Sequence, residues 1–153
     1  MKGWKIVAPS RVAESEITET LDNCSLSKVK ITKALITLAD VLSYKGEIES
    51  NNIVLGRAGI GVVSETETNL FGLEKGQHVY AEPYKECLEC YDCKSGNTSK
   101  CSNMLIAGED YDGFLKEFVD VDASSIFAIP EHVSDKSALF IETVSLCLNI
   151  IDR

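Results

Sequence analysis

Hydrophobic positions along this chain come in short runs, and most of the runs alternate with polar residues. Residues 3–8 (GWKIVA) and 12–17 (VAESEI) read as two short strands. Residues 27–38 begin with Val29 and Ile31 set against Lys28 and Lys30, then turn apolar. Period-two alternation predicts a strand here, one that grows more buried toward its end. Asp40 to Lys45 suits a helical turn stopped at Gly46. Residues 52–65 are apolar but broken by Gly56, Gly59 and Gly61, which predicts a bent or bulged strand. Gly76 marks a turn before a strand at 78–82, and Pro83 ends it. Residues 84–103 have no apolar period and read as a loop. Alternation returns at 114–121, and 125–129 is a further short strand. Ser134 is placed to cap a C-terminal helix over 135–151. Many short strands, turn residues between them and one terminal helix predict a mainly β, barrel-like domain spanning 1–153.

Charge narrows what such a domain could do. The 153 residues carry 15 Lys and Arg against 24 Asp and Glu, a formal net charge of −9, with no basic run. That balance argues against nucleic acid and against anionic membrane surfaces as partners. No apolar stretch approaches the roughly 18 residues of a membrane span. The N-terminal residues MKGWKIVAPSRVAESE lack the apolar stretch of a secretory signal. The cytoplasm is the expected compartment, and stable disulfides are unusual there. Six cysteines therefore need another explanation.

Four of them, Cys87, Cys90, Cys93 and Cys101, stand in the pattern C-x2-C-x2-C-x7-C. Two-residue spacers let successive thiolates converge on one ion, and the longer loop returns the fourth. Zinc takes four such ligands in a tetrahedron, and four thiolates leave no open position, so the site would be structural. The intervening residues cannot build a core of their own, and a metal would supply their order. Disulfides and an iron–sulfur cluster are the alternatives; the bacterial cluster spacing usually ends in C-P, whereas Ser102 follows Cys101 here. Cys24 and Cys147 read as ordinary small hydrophobes. His78 and His132 are the only histidines, one in a strand and one in a turn, so a histidine-built catalytic zinc is hard to assemble. Gly56, Gly59 and Gly61 do not spell G-x-G-x-x-G and have no helix behind them, which argues against a phosphate cradle.

Taken with its surroundings, the four-cysteine lobe resembles that of the zinc-dependent alcohol dehydrogenases of the medium-chain dehydrogenase/reductase family. The segments that carry the resemblance are TKALITLADVLSYKGE (32–47), IVLGRAGIGVVSE (53–65), GLEKGQHVYAEPYKECLECYDCKSGNTSKC (72–101), DGFLKEFVDV (112–121) and IPEHVSDKSALFIE (129–142). The resemblance covers nearly the whole chain, but only the family's N-terminal GroES-like domain. It implies a bent β-barrel with a structural-zinc lobe at 84–103. The family's NAD(P)-binding domain of Rossmann type is not expected within these residues.

Against that family the chain departs at the catalytic positions. Where the family reads G-x-C-G-T-D, residues 35–40 read LITLAD: Thr37 takes the place of the zinc-binding Cys and Ala39 that of the proton-relaying Ser or Thr. Where it reads G-H-E-x-x-G, the chain has Gly56-Arg57-Ala58-Gly59, so the His and the Glu are gone. Glu142 is retained at the position used by the polyol and threonine dehydrogenase branches. Asp40 is retained where the family supports its ligating His. The resemblance therefore implies one structural zinc, no catalytic zinc, and little dehydrogenase activity from this chain alone. A binding or interaction module is the first expectation, with Arg57 a seat for a small anion. The alternative is one subunit of a split dehydrogenase whose nucleotide-binding half is another chain. Two further expectations concern contacts. Arg57 should bridge to Asp40, to Glu142, or to both, its guanidinium occupying the former metal position. Leu139, Phe140, Val144, Leu146, Leu148, Ile150 and Ile151 cover more than one helix face, so the helix should dock a copy of the chain or the nucleotide-binding chain.

Overall fold

The structure is a computed structural model and describes residues 1–17, 26–49, 52–66 and 72–151. Cys24 lies outside the described residues. Strands β1 (Lys2–Ala8) and β2 (Arg11–Glu16) form an antiparallel hairpin. A five-stranded antiparallel sheet follows, in the order β8-β3-β4-β5-β9. Its strands are β3 (Leu26–Leu35), β4 (Ala58–Glu65), β5 (His78–Ala81), β8 (Phe118–Asp122) and β9 (Ile126–Ala128). The short strands β6 (Tyr84–Lys85) and β7 (Leu105–Ile106) make a separate ribbon. Helix α1 (Leu38–Lys45) follows β3, α2 (Tyr91–Lys94) lies between β6 and β7, and α3 (Asp135–Ala138) and α4 (Ile141–Ile151) close the chain. No helix among the described residues is long and apolar enough to cross a membrane.

The sheet curls into a half-barrel because its concave face must close over a core. Val29, Val63, Val79, Ala81, Phe114, Val119 and Ile126 form that core. Bends in β3 and β4 assist: the register slips between Lys28 and Val29 and again between Ile31 and Lys33, one extra residue each time. The glycines of β4 serve a different end from the expected bend. A Cβ on Gly61 would lie 2.3 Å from the carbonyl oxygen of Lys30, and one on Gly59 2.6 Å from the Phe114 ring. They permit close packing at Lys30 and Phe114, while the expected bulge in this strand falls at Ser64, past the glycines.

The convex face of the same sheet carries a second cluster of Ala58, Ile60, Tyr80, Ile129 and Ala138. Helix α3 lies on it. Ser134 caps α3 as expected, its Oγ accepting from Ser137 N–H at 3.3 Å. The expected helix over 135–151 is nevertheless two helices, parted at Leu139 and Phe140. Leu139 and Ile141 turn inward onto the convex cluster, while Phe140 is exposed. Asp135, at the start of α3, pairs with Lys33 of β3 and at 3.0 Å with His78 of β5. The Lys33 hydrogen bond, foremost, holds the Asp135 carboxyl below its usual range. His78 is thus a clasp between sheet and helix.

Three other expectations need correction. Residues 27–38 become less buried along their length: Val29 is sealed, whereas Ile36 and Leu38 are 47% and 72% exposed, because the chain leaves the sheet at Leu35. The alternation at 114–121 yields a strand only from Phe118. Gly113, Phe114 and Leu115 instead hydrogen-bond to Val54, Gly56 and Leu55. Cys147 is exposed on α4, not packed as a small hydrophobe.

Candidate metal lobe and adjoining cleft

The stretch expected to be a loop, 84–103, holds β6 and the single turn α2, and β7 just beyond it pairs with β6 as a stem. Leu88 at φ 56° and Gly96 at φ 85° reverse the chain around that turn. The four sulfur atoms of Cys87, Cys90, Cys93 and Cys101 come within 4.8 Å of one another. A tetrahedral ZnS4 centre with bonds of about 2.3 Å has edges of about 3.8 Å, so a small contraction closes the set around an ion. Backbone amides already point at the sulfurs. Cys90 N–H donates to the Cys87 sulfur at 3.4 Å, Cys93 N–H to that of Cys90 at 3.5 Å, and Cys87 N–H to that of Cys101 at 3.4 Å. These bonds stabilise thiolate. The amide of Cys93, above all, brings the Cys90 thiol down to about 6, and the amide of Glu89 leads in lowering Cys87. Burial pushes Cys93 the other way, to about 12. A cation among the sulfurs would offset that burial. Geometry and donor chemistry both fit zinc, which would act here as a cross-link.

Beside the stem lie Arg57 and Glu142, two of the positions that the resemblance makes catalytic, each in contact with a residue of the stem or just past it. Thr37 is the N-cap residue of α1. Asp40, 3% exposed, reaches back to it: Thr37 N–H donates to Asp40 Oδ2 at 2.7 Å and Thr37 Oγ1 donates to the same oxygen at 2.9 Å. The other oxygen, Oδ1, accepts from Gly56 N–H at 2.9 Å. Gly56 needs its φ of 97°, a region costly for any residue with a Cβ. Helix α1 ends as expected at Gly46, where Gly46 N–H bonds Ser43 O and Glu47 N–H bonds Leu42 O, both at 3.0 Å. Ala39 is half-buried on the first turn. Ala58 is fully buried in the convex cluster, where a carboxylate would sit among apolar side chains.

Arg57 does not bridge Asp40 or Glu142. Its Nη2 pairs with Glu109 Oε2, a residue just past β7. Asp40 is turned instead to Thr37 and Gly56, from which its carboxylate accepts three bonds. Glu142, on the first turn of α4, accepts from the phenol of Tyr84 on β6. Burial, then the Glu142 hydrogen bond, lift the Tyr84 phenol to about 12, while the charge of Arg57 draws it down. Glu82 is held above the usual carboxylate range by burial, then by Glu86 and Glu142. The structure thus joins Thr37, Asp40 and the Gly56–Arg57 turn by direct bonds, and Glu142 to Tyr84 by another. Tyr84 and Glu109 escape a sequence reading because no periodicity marks them. Their one signal is position, at the two ends of the cysteine lobe.

Comparison with known proteins agrees with this architecture. The alcohol dehydrogenase GroES-like domain matches residues 26–131. The starvation-sensing protein RspB of Escherichia coli K12 is 27% identical over 152 residues, covering 98% of this chain and 45% of that protein. A crystal structure of rspB from E. coli CFT073, complexed with NADH, superposes with a TM-score of 0.85 at 27% identity, covering 97% of this chain and 44% of that one. Galactitol-1-phosphate dehydrogenase of E. coli shares the fold, with a TM-score of 0.84 at 23% identity over 97% of this chain and 43% of that one. The chain spans less than half the length of these relatives. With the curled sheet, the cysteine lobe and the domain match in agreement, this chain belongs to the alcohol dehydrogenase family through its GroES-like domain.

Proposed function

We propose that these residues form the substrate-side half of an oxidoreductase-type module that holds one structural zinc, at Cys87, Cys90, Cys93 and Cys101, and no catalytic zinc. The supporting observation is the ion pair of Arg57 with Glu109. It holds Arg57, at the position of a metal-binding histidine, against Glu109, and a guanidinium has no lone pair to offer a divalent cation. Thr37 is committed to Asp40, and Ala58 offers no donor atom. Because Glu109 occupies the guanidinium, the cleft also has less attraction for a free anion than Arg57 alone would give. Elemental analysis of the purified protein should therefore find one zinc per chain. Two zincs per chain would overturn the proposal.

The second reading is a dehydrogenase assembled with a nucleotide-binding unit, and the exposed face of α4 favours it. Phe140, Val144, Leu146, Leu148, Ile150 and Ile151 are each more than half exposed. An apolar surface of that kind marks an interface. The RspB relatives are more than twice as long, and one is known with NADH bound. We assign the face to a nucleotide-binding unit, in the same polypeptide or another. Native mass spectrometry of the protein isolated from its source cells should show that unit present and retaining a nicotinamide nucleotide. Replacing Val144 and Leu148 by Glu should loosen it. A species of any size that lacks such a unit and holds no nucleotide, whether monomer or homodimer, would overturn this reading.

A further inference from the structure

The β6–β7 ribbon is the stem of the cysteine lobe, and each side of it sends one group into the cleft. Tyr84, on β6, donates to Glu142 of α4. Glu109, just past β7, holds Arg57. Among the described residues these are the only side-chain hydrogen bonds or ion pairs made by Glu142 and by the Arg57 guanidinium. The stem is itself well tied. Tyr84 faces Ile106 and Lys85 faces Leu105 in antiparallel register. Ala107 N–H and the Tyr111 hydroxyl both donate to Pro83 O at 2.9 Å, and Asp110 Oδ2 accepts from Ile106 N–H at 2.8 Å. Between its two strands the chain passes through all four cysteines. Anything that orders or loosens the lobe acts on both ends of this stem together.

We propose that Tyr84 and Glu109 are positioning residues that carry the state of the four-cysteine lobe to Glu142 and Arg57, so that metal in the lobe orders the cleft and the start of α4. The proposal rests on the reading that the four cysteines hold zinc. It gives the lobe a task beyond its own folding. The ties at Pro83 and Ile106 hold the near end of the stem, and closure of its far end is what the ion supplies. Local order of this kind is read by amide exchange, which reports opening segment by segment.

The test is hydrogen exchange on the full chain, with zinc and after chelation, in parallel with metal analysis. Zinc removal should speed exchange roughly tenfold or more over 104–111 and 144–148, the scale of one lost hydrogen bond to a charged group, while β3, β4 and β5 stay protected. In Tyr84→Phe, residues 144–148 should exchange fast with zinc still bound at one per chain, and should no longer respond to its removal. Glu109→Gln should do the same for the amide of Arg57. Three outcomes overturn the proposal: faster exchange confined to 86–104, equal loosening of β3 to β5, or a Tyr84→Phe protein that responds as the parent does. A chain that holds no zinc fails the metal reading itself and takes the proposal with it, a result the metal analysis registers separately.

Discussion

Cys93→Ser is expected to lose its zinc and open the lobe while the sheet stays folded. Cys93 is the most buried of the four cysteines, at 9% exposure, and its sulfur is the one whose burial most needs a cation. Nothing apolar would take over. Leu88 and Tyr91 are 69% and 85% exposed, and neither hydrophobic cluster extends past Ala107 and Tyr111 into the lobe. Zinc in small thiolate peptides contributes roughly 10–16 kcal/mol of apparent binding free energy, which here would become local folding free energy. Limited trypsin digestion reads the result directly. In the variant, as in chelated wild type, cleavage should fall after Lys94 and Lys100 and leave β3 to β5 as a resistant fragment. A variant that keeps its metal, or resists cleavage at both lysines, contradicts the assignment.

Asp40→Ala should destabilise the whole domain by about 3–5 kcal/mol. The carboxylate is buried and serves three donors on two segments, the N-cap of α1 and the turn at Gly56. Alanine would leave buried N–H groups without acceptors, and an unsatisfied buried donor costs more than an average hydrogen bond is worth. Asp40→Asn, which keeps one accepting oxygen, should lose less. Urea denaturation midpoints would measure both, and a loss below about 1 kcal/mol for the alanine variant would contradict this account. The residue therefore has an architectural task here that does not depend on a metal. By fixing Gly56 in its left-handed conformation it also fixes where Arg57 leaves the backbone.

What could be read from the residues was largely what is local. Period-two runs located the strands to within a few positions, Gly46 and Ser134 marked helix ends, and two-residue spacers brought the thiolates together. Misreadings arose where a local pattern met a distant partner. Phe114 has the spacing of a strand residue, yet its backbone is claimed by Gly56, far back in the chain. Ile36 and Leu38 are as apolar as a core, but burial depends on where the sheet ends, and composition does not carry that. Arg57 was assigned the nearest carboxylates of the family pattern. Its actual partner, Glu109, is 52 residues downstream and arrives only because the ribbon folds the lobe back on itself. The carboxylate count at the cleft was legible; the allocation of hydrogen-bond capacity was not.

The order of the strands bears on solubility. An open sheet ends in two rows of backbone groups that could template pairing with another chain. In this sheet those ends are β8 and β9. Strand β9 is only three residues long, too short to seed a stable ladder, and β8 alternates buried Val119 and Val121 with half-buried Phe118, Asp120 and Asp122. A second β8 laid alongside would bring carboxylates together, which is unfavourable between neighbouring strands. The edges of this sheet are therefore guarded against strand-to-strand aggregation, and the densest group of exposed large apolar residues among those described, from Phe140 to Ile151, is helical, where contact adds no strand to the sheet.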